Sequence, residues 1–203
     1  MIQERADTGK SMVFSEESYN DNVIKNEVLT NADISGIEFY NCAFEHCDFS
    51  YATMRRSTLE SCIFVACNFS NVCVEDAKLI SIKFDNCKLL GINFGNCRQV
   101  SLDIGISNSS LNLCNFSDTS MKGSKIVDSR LDECYFQNSF LVEVDFSGSV
   151  FRKTLFHNSD LQKADFSNAR GYEIDPRVNK VAGAIFTVPD VLNLLSSFDI
   201  AIK

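Results

Sequence analysis

The sequence is poor in several residue types on which other classes of protein depend. It has no Trp, two Pro and two His in 203 residues. No apolar run approaches the ~18 residues of a membrane-spanning helix. The first residues, Met1–Arg5, are polar and no apolar segment follows them, so no secretion signal is expected. We therefore expect a cytoplasmic protein that does not enter the membrane and keeps its cysteines reduced.

Positive charge is also scarce. The chain has 19 basic and 27 acidic residues, which gives a formal net charge of −8. An excess of negative charge repels phosphate groups, so direct binding of nucleic acid is not expected. Such a protein can instead bind the basic grooves of other proteins that hold DNA.

Phenylalanine is abundant, and its placement has a period of five. From Ile34 to Phe94 every fifth residue is apolar, and after a slip of two residues the same holds from Leu111 to Phe166. These two runs contain 13 of the 17 Phe residues. The position two residues earlier in each repeat is mostly small, commonly Cys, Ser or Ala. Chance does not produce such a pattern in a chain that is 45% hydrophobic.

A period of five fits neither a helix, with 3.6 residues per turn, nor a strand, with an alternation of two. It indicates a backbone that turns a corner every five residues, so that four corners make a square coil with the large and small positions inside. Such coils stack at about 4.8 Å through backbone hydrogen bonds. The sequence therefore predicts an all-β quadrilateral helix over residues 24–170, with about seven coils. We expect an irregular cap over residues 1–23 and a bulge or short loop at residues 95–110, where the phase breaks.

Eight of the nine Cys residues occupy the small inward position, and Cys73 is the exception. Because residues 20 apart stack on one another, Cys47, Cys67 and Cys87 should form a ladder. Redox or metal chemistry is one interpretation, and core filling is the favoured one because Cys behaves as a small hydrophobic residue. His46 and His157 fall in outward positions of distant coils. No catalytic site, metal site, cofactor or small-molecule substrate is therefore predicted.

The repeat stops near Gly171, and residues 171–203 have a different pattern. Pro189 is suited to the first position of a helix, and a short strand is expected after that helix. The helix has an apolar stripe that can cover the open end of the coil stack. Two interpretations remain open, a monomeric cap and a cap that also forms a twofold dimer. The interface in the second case would comprise Val191, Leu192, Leu194, Leu195, Phe198, Ile200 and Ile202.

Segments such as Asn31–Ser35 and Lys163–Ser167 resemble the A(D/N)LXX consensus of the pentapeptide-repeat proteins. That resemblance implies a right-handed quadrilateral β-helix. The patterns at residues 87–94 and 164–200 are similar to the Qnr-type quinolone-resistance proteins and to related immunity proteins against gyrase poisons. This second resemblance implies a non-enzymatic homodimer, joined through its C-terminal modules, that imitates duplex DNA. Its implied partner is DNA gyrase or topoisomerase IV, which it would protect from quinolones or a gyrase-targeting toxin.

The length of the coil stack is compatible with such a role. Seven coils at about 4.8 Å give roughly 35 Å, so a dimer would approach the length of about 20 base pairs. Ordinary solubilising charge is the alternative interpretation of the acidic residues, and a scaffold with another protein partner is the alternative function. The candidate partner-binding face lies in the second block of repeats and comprises Asp128, Asp132, Glu133, Glu143, Asp145, Asp160 and Asp165.

Overall fold

The backbone winds into a four-sided parallel β-solenoid of about eight coils. These coordinates are a computed structural model, which describes residues 3–4, 14–98, 102–198 and 200. The register between successive coils is 20 residues, so that Phe44 pairs with Phe64 and Phe64 with Phe84. The quadrilateral fold predicted from the period of five is confirmed. No helix in the described part of the chain is long and apolar enough to cross a bilayer.

Each side of the solenoid is a ladder of short parallel strands, and we number the sides as faces 1 to 4 in chain order. Face 1 contains Gln3–Glu4, Asn22–Lys25, Ala43–Glu45, Ile63–Val65, Ile82–Asp85, Ile104–Ser107, Lys125–Val127, Asp165–Phe166 and Ile185–Phe186. Face 2 contains Asn68–Ser70, Lys88–Leu90, Ser110–Asn112, Arg130–Asp132 and Val150–Arg152. Face 3 contains Tyr135–Gln137, Leu155–His157 and Glu173–Ile174. Face 4 contains Ser18–Asn20, Glu38–Tyr40, Thr58–Glu60 and Lys78–Ile80.

Single bridges extend all four faces where no full strand forms. On face 4, for example, Phe140 bridges Ser120 on one side and Asp160 on the other. The ladders run from Gln3–Glu4 to Ile185–Phe186, which is beyond both ends of the segment in which the repeat is visible in the sequence.

The corners explain the polar residues of the repeat. In the regular coils the residue two places after the large inward side chain has a positive φ, as at Asn26 (58°), Asn138 (53°) and Asn158 (53°). Asn, Asp and Gly tolerate this left-handed conformation better than other residues do. Side chains at these corners also bond to one another across coils, since Asn158 Nδ2 donates to Asn138 Oδ1 at 2.8 Å. The corner composition therefore follows from the geometry of a square coil.

The core is a set of stacked rings. Phe94, Phe116, Phe136 and Phe156 lie on face 3 with successive ring centroids 4.6, 4.9 and 5.0 Å apart and nearly parallel planes. Rings from opposite sides meet edge-on across the interior, as Phe136 of face 3 does with Phe146 of face 1 at 5.8 Å. Stacked and edge-to-face pairs are both favourable arrangements of aromatic rings. The inward Phe positions thus form one continuous hydrophobic column.

The slip in the repeat is absorbed on face 4. Phe84 pairs with Ile106, an offset of 22, and the offset returns to 20 between Ile106 and Ile126. A short 3-10 helix, Phe94–Asn96, precedes the extra residues, and Leu102 is again fully buried. The coil therefore accommodates the two extra residues at one side without disturbing the other three.

The last coil departs from the regular spacing in the opposite direction. Phe156 pairs with Ile174, an offset of 18, and the spacing of 20 is restored where Asp160 meets Lys180. Asn179 is buried at this end, where its Nδ2 donates to the carbonyl of Phe156 at 3.0 Å. Its Oδ1 accepts from the backbone N–H of Ser159 at 2.9 Å. One side chain thus satisfies two backbone groups of the preceding coil.

A second 3-10 helix, Asp190–Phe198, covers the final coil. Asp190 Oδ1 accepts from the backbone N–H of Gly171 at 2.9 Å, which ties the start of the helix to face 2. Gly171 has φ +70°, and a Cβ there would clash with the carbonyl oxygen of Phe151. Only glycine fits at this position, so the turn into the C-terminal module is sterically fixed.

We predict that Phe136→Ala destabilises the protein by about 3–5 kcal/mol, because the substitution opens a cavity in the ring column. The matched control is Phe140→Ala, since Phe140 is 42% exposed on the outside of face 4. Chemical denaturation, monitored by circular dichroism, measures the free energy of unfolding of both variants. Equal losses for the two variants would contradict the inward assignment of Phe136.

Candidate functional site

The cysteines line the interior of the solenoid. Cys42, Cys47, Cys62, Cys67, Cys87, Cys114 and Cys134 are buried, and all nine thiols are free. The backbone N–H of Cys47 points at Cys67 Sγ, and that of Cys67 points at Cys87 Sγ, each at 3.4 Å. Cys97, beside the slip, is partly buried, and burial raises the pKa of its thiol to about 12. The predicted ladder of Cys47, Cys67 and Cys87 is present, and its thiols are buried in the hydrophobic core as core-filling side chains.

The described residues contain no group of three or more His, Cys, Asp or Glu side chains that could hold a metal ion. His46 is exposed at a corner of face 1, with φ 55°, and His157 is exposed on face 3 several coils later. The two imidazoles belong to different parts of the rod.

The seven predicted acidic residues are spread over several sides. Asp128 and Asp145 belong to face 1, as does Asp165, which bridges Asp145 directly. Asp132 is on face 2, with Glu133 at the corner that follows it. Asp160 is on face 4, and Glu143 is at its corner with face 1. The structure therefore brings Asp145 and Asp165 together, places Asp128 at the corner that ends the same face, and distributes the other four over faces 2 and 4 and their corners.

Most of these carboxylates have a cationic partner in the next or preceding coil. Glu133 pairs with Lys153 at 3.2 Å, and Glu143 pairs with Lys163 at 3.3 Å. Asp145 lies 3.8 Å from the Nζ of Lys125, and Asp160 lies 3.3 Å from that of Lys180. Exposed pairs of this kind contribute little stability, about 0–1 kcal/mol each. Their main effect is to cancel negative charge at the surface.

Asp132 is the most buried of the set and has two partners. It accepts from the Nε of Arg130 and from the Nε of Arg152, each at 2.7 Å. Burial by itself would raise the pKa of this carboxyl, but the two hydrogen bonds outweigh it and the pKa lies below its usual range. Asp132 is thus a charged link between two arginines.

An acidic group that sequence analysis missed lies on face 4 near the N-terminal end. Glu38 and Tyr40 share a strand, Glu60 lies over Tyr40 in the next coil, and Asp21 bonds to the neighbouring corner at Asn41. No ion pair involves Asp21, Glu38 or Glu60 within the part of the chain that the structure describes. We call Asp21, Glu38 and Glu60 the face 4 acidic patch.

The patch perturbs the tyrosine that it surrounds. The Tyr40 hydroxyl donates to Glu38 Oε2 at 3.0 Å, and this bond together with the nearby carboxylates raises the pKa of Tyr40. The spacings Asp21 to Glu38 and Glu38 to Glu60 are not multiples of 20. These residues differ in lateral position on the face, so the stacking of residues 20 apart does not predict that they are neighbours.

The C-terminal helix has one side against the core and one side free. Leu194 packs against the hydrophobic core, and Val191 and Leu195 are partly buried. Leu192, Phe198 and Ile200 are exposed by 41%, 47% and 55%. The Arg177 guanidinium lies 5.5 Å from the Phe198 ring centroid. Ile200 is outside any strand, and Ile202, the last predicted interface residue, lies outside the described residues.

Comparison with known sequences defines the class. A family described as pentapeptide repeat region matches residues 37–112, and one described as pentapeptide repeats (8 copies) matches residues 129–170. The chain belongs to the pentapeptide-repeat proteins. Among curated proteins, none matches it.

Solved structures extend the comparison to almost the whole chain. Two trypsin-treated forms of QnrB1, a plasmid-mediated fluoroquinolone resistance protein, match with a TM-score of 0.69 and identities of 21% and 20%. The match covers 92% of this chain and 90% or 89% of those chains. Full-length QnrB1 matches with a TM-score of 0.54 and 21% identity over 90% of both chains. The chain therefore has the fold of QnrB1.

We predict that N-ethylmaleimide labels the native protein first at Cys73, because this thiol is on the outside of face 3 and is partly exposed. The other cysteines should react only after the protein is denatured, because their thiols are buried and because the pKa of Cys97 is high. Mass spectrometry of peptides, with and without denaturant, locates the label. Rapid native labelling within the Cys47–Cys67–Cys87 ladder would contradict a tightly packed core.

Proposed function

We propose that this protein binds a type II topoisomerase, DNA gyrase or topoisomerase IV, as a dimeric rod that imitates duplex DNA. In doing so it protects the enzyme from quinolones or from a gyrase-targeting toxin. The observation that carries the proposal is the likeness to QnrB1, a fluoroquinolone resistance protein, over 92% of the chain. The protein acts in the cytoplasm, through its surface and without catalysis.

The dimensions of the rod support this role. Eight coils at about 4.8 Å span about 38 Å, so two subunits joined end to end span about 77 Å. That length corresponds to about 22 base pairs at 3.4 Å each. A topoisomerase groove that accepts duplex DNA can accept a straight rod of this length.

The charge that such a groove would meet is strongest where carboxylates have no partner. Five of the seven acidic residues in the second block, Asp132, Glu133, Glu143, Asp145 and Asp160, are in ion pairs. Asp128 and Asp165 remain as candidates there. We add the face 4 acidic patch to the proposed enzyme-binding surface, since no described cation forms an ion pair with its three carboxylates.

The exposed side of the C-terminal helix supports the proposed dimerisation. Leu192, Phe198 and Ile200 are exposed apolar side chains at the end of the rod, where the last strand of face 1 is Ile185–Phe186. Exposed strand edges and apolar surfaces together favour association. In a twofold dimer the same surface of each subunit would cover the other.

A different protein partner is the second candidate function. It is favoured by the modest charge of the rod, since ion pairs leave far less than the two negative charges that duplex DNA carries every ~3.4 Å. Affinity capture from the host separates the two candidates. Recovery of gyrase or topoisomerase subunits supports the first, and their absence among specific partners supports the second.

We predict that Phe198→Asp converts the protein from a dimer to a monomer, because a carboxylate cannot be buried in an apolar interface without a partner. Leu195→Asp should act in the same direction. The control is Ser196→Asp, which places the same charge on an exposed position of the same helix. Light scattering measures the mass of each. A dimeric Phe198→Asp variant would show that the interface lies elsewhere.

We predict that the protein restores gyrase supercoiling in the presence of ciprofloxacin. The double variant Glu38→Gln with Glu60→Gln should require about tenfold more protein for half protection, a loss of about 1.4 kcal/mol. The control, Glu133→Gln with Glu143→Gln, removes the same charge from ion-paired positions and should behave like the native protein. Absence of protection at every ratio of native protein to gyrase would rule out the protective role for this drug.

A further inference from the structure

Face 2 has a charge opposite to that of the whole protein. Val150, on its outer surface, is 44% exposed. Arg130 and Arg170 lie directly beneath and above Val150 in the ladder. Arg152 follows two residues later on the same strand and the same side. We call Arg130, Arg152 and Arg170, with Val150 at their centre, the arginine patch.

The positive charge of the patch is only partly compensated. Asp132 is shared by Arg130 and Arg152, so these three residues have one net positive charge. Arg170 is exposed and forms no ion pair with any other described residue. Asp128 and Asp190 lie at the borders of the patch, where Asp190 is bound to the backbone of Gly171. The centre of the patch is therefore positive around an apolar side chain.

Asp132 also orients the patch. It binds the Nε of Arg130 and the Nε of Arg152, which leaves the terminal N–H groups of both guanidinium groups available. A guanidinium held in this way loses less conformational freedom when a second carboxylate binds. The two arginines are thus prepared to receive an anionic group from outside.

A groove of about 520 Å³ leads along the rod from the patch. It is bordered by Val150 and Arg130 at one end and by Lys88 at the other, with Ser110 between them in the ladder. An extended chain laid along this groove would meet cations about two coils, roughly 10 Å, apart.

The net charge of −8 does not prevent an anionic partner from binding here. Charges are screened over about 8 Å at physiological ionic strength, and opposite walls of the rod are about 10 Å apart or more. A partner that touches face 2 therefore responds mainly to the local cations.

We propose that the arginine patch and its groove bind an acidic segment of a partner protein, with an apolar side chain placed over Val150 and carboxylates against the guanidinium groups. Arginine beside exposed apolar surface is typical of protein interfaces, and planar guanidinium groups bind carboxylates through two parallel hydrogen bonds. A phosphate backbone would gain nothing from Val150. This inference does not depend on topoisomerase binding, since it concerns a face of opposite charge.

The test uses the full-length protein and a fluorescein-labelled peptide of repeated Glu-Leu-Glu, with binding measured by fluorescence anisotropy at low salt. Arg170→Gln and Val150→Ser should each weaken binding by about tenfold. Lys122→Gln is the control, because Lys122 is an exposed cation on face 4 and its loss changes the net charge equally. Thermal unfolding of each variant checks that the solenoid is intact.

Three outcomes would overturn the proposal. Equal weakening by Lys122→Gln would mean that net charge and not the patch governs binding. A short DNA duplex that displaces the peptide and binds more tightly would assign the surface to phosphate. No binding by the native protein at any accessible peptide concentration would show that the patch has no acidic occupant. Weaker peptide binding by Arg170→Gln and Val150→Ser, with unchanged binding by Lys122→Gln, supports the proposal.

Discussion

The parallel ladder with a 20-residue register is the constraint on which the rest of the structure depends. Each coil satisfies its backbone N–H and C=O groups through the next, so equivalent positions must lie directly over one another. Phe116, Phe136 and Phe156 stack for this reason, with centroids 4.9 and 5.0 Å apart. The cysteine ladder and the asparagines at the corners obey the same rule.

The same register decides where the surface carries charge. Acidic and basic residues 20 apart become neighbours, as Glu133 and Lys153 or Glu143 and Lys163 do, and their fields cancel. Net charge is then a poor description of this protein, since a face is negative or positive according to which residues lack a partner. The face 4 acidic patch and the arginine patch differ in sign although they belong to one rod.

The fold could be predicted from the sequence because the repeat appears directly in the positions of Phe and of the small residues. The exposed acidic surface could not be predicted to the same extent. The contact of Asp145 with Asp165 can be predicted because the two residues are 20 apart, whereas Asp21, Glu38 and Glu60 meet through lateral positions that the period does not reveal. The offset of 22 is visible in the sequence as a slip of two residues in the phase of the repeat. The offset of 18 at the last coil cannot be predicted from the repeat.

The sequence by itself determined the square coil, the inward column of rings and the burial of most cysteines, since a local repeat specifies each of these one turn at a time. Only the tertiary structure decided which carboxylates lack a cationic partner, because that depends on which side chain lies in the adjacent coil and at which lateral position. It also decided how the last coil closes, through the amide of Asn179 and the contact of Asp190 with Gly171. Those contacts join segments that share no repeat, so packing alone brings them together.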